Sequence, residues 1–229
     1  MVLRRHFLKK TAAGLVAIPA ILPMLSCETK AESAVAEADY NCVLTPQQTS
    51  GPFYFDTKLK RSDITEARPG LPLAFKVRVV NVQNCSPIAN AIVDIWHSDK
   101  DGLYSGYPRQ GEKRIDTSGE TFCRGHQQTN ADGVASFLTM FPGWYPGRAP
   151  HIHFKVYMPG NSFVTSQMYP PWEIAKEVYN SPLYAARGQS PTTYTSDGVL
   201  RSSDLSKLTL SLEKEGEGFK GTFVVGVKV

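Results

Sequence analysis

The sequence lacks a charge imbalance in most of its length, has little helical periodicity, and contains no internal repeat. Four of its 25 lysines and arginines (Arg4, Arg5, Lys9 and Lys10) lie in residues 1–26, which hold none of the 21 acids; 25 less 4 leaves 21 against 21. The formal net charge of +4 therefore belongs to that first stretch. A near-neutral remainder gives no electrostatic case for nucleic acid or another polyanion as partner. The apolar run over residues 11–25 is too short for a transmembrane helix. With 41% hydrophobic and 20% charged residues, the chain is neither disordered nor fibrous, and fits one globular domain with a short extension.

Residues 1–26 read as an export signal. The order Arg4-Arg5-His6-Phe7-Leu8-Lys9 resembles the twin-arginine motif, whose pathway carries folded proteins. Met24-Leu25-Ser26-Cys27 resembles a lipoprotein box, making Cys27 a candidate lipid anchor, while Ala34-Val35-Ala36 offers an ordinary cleavage site farther from the apolar run. The protein is thus expected to be exported, either periplasmic or membrane-anchored. Residues 27–40, rich in Ala and Glu, read as a flexible tether, and residues 41–229 as the folded domain. Of the other cysteines, Cys42 and Cys85 are the expected disulfide, with Cys123 a buried free thiol or an alternative partner.

Short segments with strand character dominate that domain. Strands are expected over residues 73–82 (with Phe75, Val77 and Val79 on one face), 91–96, 122–129, 134–140, 163–169, 205–212 and 219–227. Asn130-Ala131-Asp132-Gly133, between two of these runs, carries a hairpin signal, and Gly216 and Gly218 mark another. Only residues 172–179 read as helix. Many short strands with little helix predict an all-β fold, a sandwich or barrel. The loop at residues 45–55, aromatic and broken by Pro and Gly, is expected to lie over something. Asp99 and Asp101 suggest a calcium loop only faintly, because Gly102 falls too early for an EF-hand.

The stretch from Gly143 to Tyr157 holds the chemistry. His151 and His153 are two apart on a strand and so share a face, while Ile152, Phe154, Val156 and Met158 share the other. Two imidazoles so placed form a two-point chelate. Tyr145 sits in a turn from which it can fold back over the strand, and Tyr104 is the best second phenol donor, with Tyr107, Tyr157 and Tyr169 as alternatives. Two phenolates and two imidazoles suit a hard ferric ion, Fe(3+), better than zinc.

At these residues the sequence resembles the intradiol ring-cleavage dioxygenases, the catechol and protocatechuate enzymes. The resemblance is carried by Gly-Pro-Phe-Tyr at 51–54, Ile-Ala-Asn-Ala-Ile-Val-Asp-Ile-Trp-His at 88–97, Asp-Gly-Leu-Tyr at 101–104, Arg-Gly at 124–125, Tyr-Pro at 145–146, Arg-Ala-Pro-His-Ile-His-Phe at 148–154 and Thr-Ser-Gln-Met-Tyr at 165–169. It implies a β-sandwich with Tyr104, Tyr145, His151 and His153 as ligands of a ferric ion. Arg148 matches the active-site arginine and Gln167 a glutamine lining the substrate pocket. The reaction implied is cleavage of a catechol by O₂ between its hydroxyl-bearing carbons, giving a cis,cis-muconate-type diacid. One tyrosinate, assigned to Tyr104, gives way to substrate. The chain departs from the family in the order Ala149-Pro150, in Phe122-Cys123-Arg124-Gly125, and in lacking a long helical segment before the core, departures that leave the ligand set intact. The alternative is an exported binding module without catalysis, whose His-x-His strand is structural or holds zinc or copper. His97, His126 and Lys155 receive no role, and the sequence sets neither the particular catechol nor the number of subunits.

Overall fold

The computed structural model describes residues 42–229. The segments read as export signal and tether, with the candidate anchor Cys27, lie outside the described residues. Nine regular elements follow in chain order: β1 (Pro72–Asn81), β2 (Ile92–Trp96), β3 (Arg124–Gln128), β4 (Val134–Met140), β5 (Ile152–Met158), β6 (Asn161–Met168), α1 (Trp172–Asn180), β7 (Ser211–Glu215) and β8 (Gly218–Val227), with short 3₁₀ turns between α1 and β7. The strands form two four-stranded sheets, β4-β1-β8-β7 and β3-β2-β5-β6. This is the expected all-β sandwich.

The core lies between the sheets because each strand turns its alternate apolar residues to the same side. Phe75, Val77 and Val79 of β1 are buried as predicted, facing Val93 and Ile95 of β2 and Ile152, Phe154 and Val156 of β5. The rings of Phe154 and Phe223 meet across the two sheets at 5.4 Å. In α1, Ala175, Val178 and Tyr179 form a buried stripe at helical spacing. A disulfide joins Cys42 to Cys85, and Cys123 is free and buried.

Two local expectations are corrected. The Asn130–Gly133 turn does not close a hairpin: β3 and β4, on its two sides, belong to different sheets. Asn130 still closes the turn locally, its side chain accepting from Asp132 N and Val134 N, but the chain crosses the sandwich there. Residues 205–212 are not one strand. Asp204 accepts a hydrogen bond from Ser206 N and caps a 3₁₀ turn at Leu205–Lys207, so strand β7 starts only at Ser211. Leu208 and Leu210, read as strand residues, are buried from the segment after this turn, Leu210 in the sandwich core and Leu208 in a separate cluster with Tyr169 and Leu200.

Candidate metal centre

The outer face of the β3-β2-β5-β6 sheet carries the site. Register places Arg124, Trp96, His153 and Gln167 side by side in one row across the four strands. The Trp96 indole stacks on the His153 imidazole, with centroids 4.9 Å apart and planes within 5°. His151, just before β5, occupies the next position on that face. Turned away from the apolar core, both histidines are nonetheless buried, at 2% and 1% exposure, because loops roof this face.

Two loops deliver the tyrosines. Gly143 N donates to Asp99 O, and Ser98 Oγ donates to Gly143 O, tying the loop that carries Tyr104 to the turn that carries Tyr145. A Cβ at Gly143 would lie 2.3 Å from Lys100 O, so only glycine permits that approach. The backbone of Tyr104 is held by Gln110 and Thr117. The result is a cluster around His151 Nε2, with His153 Nε2 at 3.0 Å, Tyr145 Oη at 3.2 Å and Tyr104 Oη at 3.4 Å. Tyr107, Tyr157 and Tyr169, the alternative donors, have no hydroxyl contact with either histidine; Tyr169 Oη bonds Gln48 and Gln167 instead.

His151 Nδ1 lies 2.6 Å from Ala149 O, an acceptor, so that nitrogen carries the proton and Nε2 presents its lone pair to the cluster. Burial, then the Arg148 charge, push His151 down to about 3; burial, then His151, push His153 well down as well. Both rings are therefore neutral and available as ligands at neutral pH. Burial, and then Tyr145, raise the Tyr104 phenol well above its ordinary range, and burial raises Tyr145. Phenols so buried ionise only against a strong positive charge. Among the described residues no three His, Cys, Asp or Glu side chains are placed to hold a metal, so any anionic donors here are phenolates. Four convergent donors, two imidazole and two phenol, fit a ferric ion.

Arg148 sits beside the cluster. Its Nη1 approaches His151 Nε2 at 3.4 Å, its Nη2 donates to Gln167 Oε1 at 2.5 Å, and its Nε donates to Asp197 at 3.0 Å. Burial opposes the guanidinium charge, yet Tyr145 and Asp197 outweigh it and raise its pKa. Gln167 is anchored in turn by donating to Thr49 O. All six residues singled out from sequence thus meet in one place.

A family model for dioxygenases matches residues 49–194, a span that contains the whole cluster. The chain belongs to the intradiol dioxygenase family. Among its relatives, a chlorocatechol 1,2-dioxygenase of Cupriavidus pinatubonensis is 30% identical over 136 residues, 52% of each chain. A catechol 1,2-dioxygenase of Acinetobacter lwoffii is 30% identical over 149 residues, 54% of this chain and 50% of the other. The chain thus spans about half the length of the curated relatives it matches. An intradiol ring-cleavage dioxygenase from Tetranychus urticae, a solved structure, superposes with a TM-score of 0.75 at 28% identity, covering 82% of this chain and 95% of that one.

Within this intradiol fold, several residues left unassigned by sequence find their place. The loop at residues 45–55 lies over the site: Phe53 stacks on Tyr104 at 4.3 Å, and Gly51, at φ +67°, passes so close that a Cβ would be 3.3 Å from His153 Cε1. His97 is structural, bonding Ser98 O and Thr139 Oγ1. Asp99 holds its own turn by accepting from Asp101 N and Leu103 N and pairs with Arg68. Asp197, wholly buried and bound to Arg148, was not found from sequence. An Asp-Gly in a polar loop gives no sign of an arginine 49 residues earlier.

Proposed function

We propose that the protein is a ferric dioxygenase that cleaves a catechol between its two hydroxyl-bearing carbons to give a muconate-type diacid. The observation that carries this reading is the convergence of two phenols and two imidazoles on one buried point beside an arginine. Tyr104, Tyr145, His151 and His153 would hold the ion. A ferric ion bound there would act as a Lewis acid, shifting electron density within the bound catechol so that a ring carbon could react with O₂.

The remaining work falls to this chain's own groups. Burial favours Tyr145, rather than Tyr104 as the sequence suggested, as the phenol that yields to substrate. Tyr104 is 1% exposed and clasped through its backbone, whereas Tyr145 is partly exposed on a turn. Once displaced, a phenolate whose pKa burial has raised takes up a proton, and the incoming catechol hydroxyl supplies it at Tyr145 Oη. Arg148, kept charged by Asp197, lies where it stabilises negative charge as it develops on the ring. Gln167, a neutral donor and acceptor, holds that guanidinium by accepting from its Nη2.

Turnover of a catechol under labelled O₂ tests the reading. The expected product is a colourless muconate carrying both oxygen atoms; a yellow semialdehyde overturns it. We also propose export of the folded protein through the twin-arginine route with a lipid anchor at Cys27. Replacing Arg4 and Arg5 by Lys is expected to retain the protein in the cytoplasm, and Cys27→Ser to release it from membranes.

A further inference from the structure

Asp94 is a carboxylate in the middle of β2, only 7% exposed, one row along the sheet from Trp96 and His153. Its hydrogen-bond partner is the phenol of Tyr54, which donates to Asp94 Oδ2 at 3.1 Å. Tyr54 belongs to the stretch that roofs the candidate metal centre. Three residues before it, the Gly51 backbone presses on His153; next to it, Phe53 stacks on Tyr104 at 4.3 Å and meets Tyr145 edge-on at 6.0 Å. The Tyr54 ring itself lies over Trp96 at 4.6 Å, the indole that stacks on His153. Gly51 N donates locally to Thr49 Oγ1 at 3.0 Å, and the Tyr107 hydroxyl donates to Tyr54 O at 3.4 Å; among the described hydrogen bonds of residues 51–54, the Tyr54 phenol supplies the one that reaches the sheet beneath.

We propose that Tyr54 and Asp94 are positioning residues, a clamp that seats Phe53 and Gly51 over Tyr104 and His153 and so fixes the aromatic wall met by the substrate ring. The proposal rests on the catechol-cleaving reading for the word substrate, but not for the clamp itself. Burial raises the Asp94 carboxyl to about 6, against the opposing hydrogen bond from Tyr54. The groups that face it are Tyr54 and Asp56 from the roof, Arg124 and His126 from β3, and Lys155 and Tyr157 from β5. A carboxyl that holds its proton more tightly when covered than when wetted favours the covered state at low pH. Opening of the roof therefore becomes easier as pH rises through about 6.

Proteolysis of the native, iron-loaded chain with thermolysin, read by mass spectrometry at the Phe53–Phe55 bonds between about pH 5 and 8, measures that opening. Tyr54→Phe and Asp94→Ala are expected to speed cutting there about ten- to a hundredfold, the range for a hydrogen bond to a charged group. Iron content should stay unchanged and KM should rise more than kcat falls. Asp94→Asn keeps an acceptor for Tyr54 but cannot ionise, so its cutting rate should stay low and lose the pH step. Unchanged cutting in Tyr54→Phe, or a pH step that survives in Asp94→Asn, overturns the clamp. Failure to turn over any catechol would overturn the catalytic reading and leave the cutting rates to decide the clamp by themselves.

Discussion

Replacing Asp197 by Ala is expected to be among the most damaging single changes outside the ligand set. Its carboxylate is wholly buried and accepts from four donors: Arg148 Nε at 3.0 Å, Ala149 N at 2.8 Å, Val199 N at 2.8 Å and Leu200 N at 3.1 Å. Removing one member of a buried pair leaves the other charge uncompensated, at about 3–5 kcal/mol. The lower end applies, because the Arg148 side chain keeps 14% exposure and regains some hydration. At about 3 kcal/mol the thermal midpoint of a domain this size falls by roughly 6–12 °C. Although burial works to raise the Asp197 pKa, the Ala149 amide and the Arg148 charge hold it below the usual carboxylate range. Its stabilising share is therefore present above that range and lost as pH falls through the lowered value. Asp197→Asn should be milder near neutral pH and should lack that acid-dependent share. Thermal and urea unfolding of wild type and both variants across pH, with kcat/KM alongside, measure this. A loss below about 1 kcal/mol in Asp197→Ala, with wild-type turnover, would refute the reasoning.

Three further outcomes are expected. His151→Ala and His153→Ala should fold yet retain little iron by elemental analysis, since the core side of β5 is formed by Ile152, Phe154 and Val156. Tyr104→Phe and Tyr145→Phe should each weaken the visible phenolate-to-iron band, and only Tyr145→Phe should leave substrate binding largely intact in a titration, because that phenol is the one proposed to give way. Cys85→Ser opens the covalent link across a sequence separation of 43 and should lower stability by about 4 kcal/mol in denaturant titration, if the loop is unconstrained in the unfolded chain.

The elements legible in the sequence were those whose patterns are local. β4 was bounded correctly by its alternation, and His-x-His reported the shared face of β5 directly. The convergence of Tyr104, Tyr145, His151 and His153 was anticipated through the family resemblance, because the separate motifs that carry them are specific in combination. Sheet membership was not legible: Asn130–Gly133 has the chemistry of a tight turn, and a turn fixes the local reversal without fixing which sheet the next strand joins. The burial of the histidines was also hidden, since it comes from a roof about a hundred residues earlier at Gly51 and Phe53. Asp197 and Asp94 were invisible for the same reason, their partners being distant in sequence.

The placement of β8 bears on how this molecule is made. It runs parallel to β1, Leu73 against Phe219, and lies between β1 and β7, so the first strand of the sandwich waits for the last to be synthesised before its second edge is filled. Pairings of such sequence separation form slowly, because a long loop must close before they return any energy. All four inferred iron ligands lie within residues 104–153 and leave the ribosome well before β8 does. Until residues 218–227 dock, Phe154, directly between the two histidine-bearing positions and Lys155 on β5, lacks Phe223 beneath it. A chain halted before that point has every candidate ligand over an incomplete floor, since Phe75, Val77 and Val79 of β1 share that core but Phe223 is missing from it.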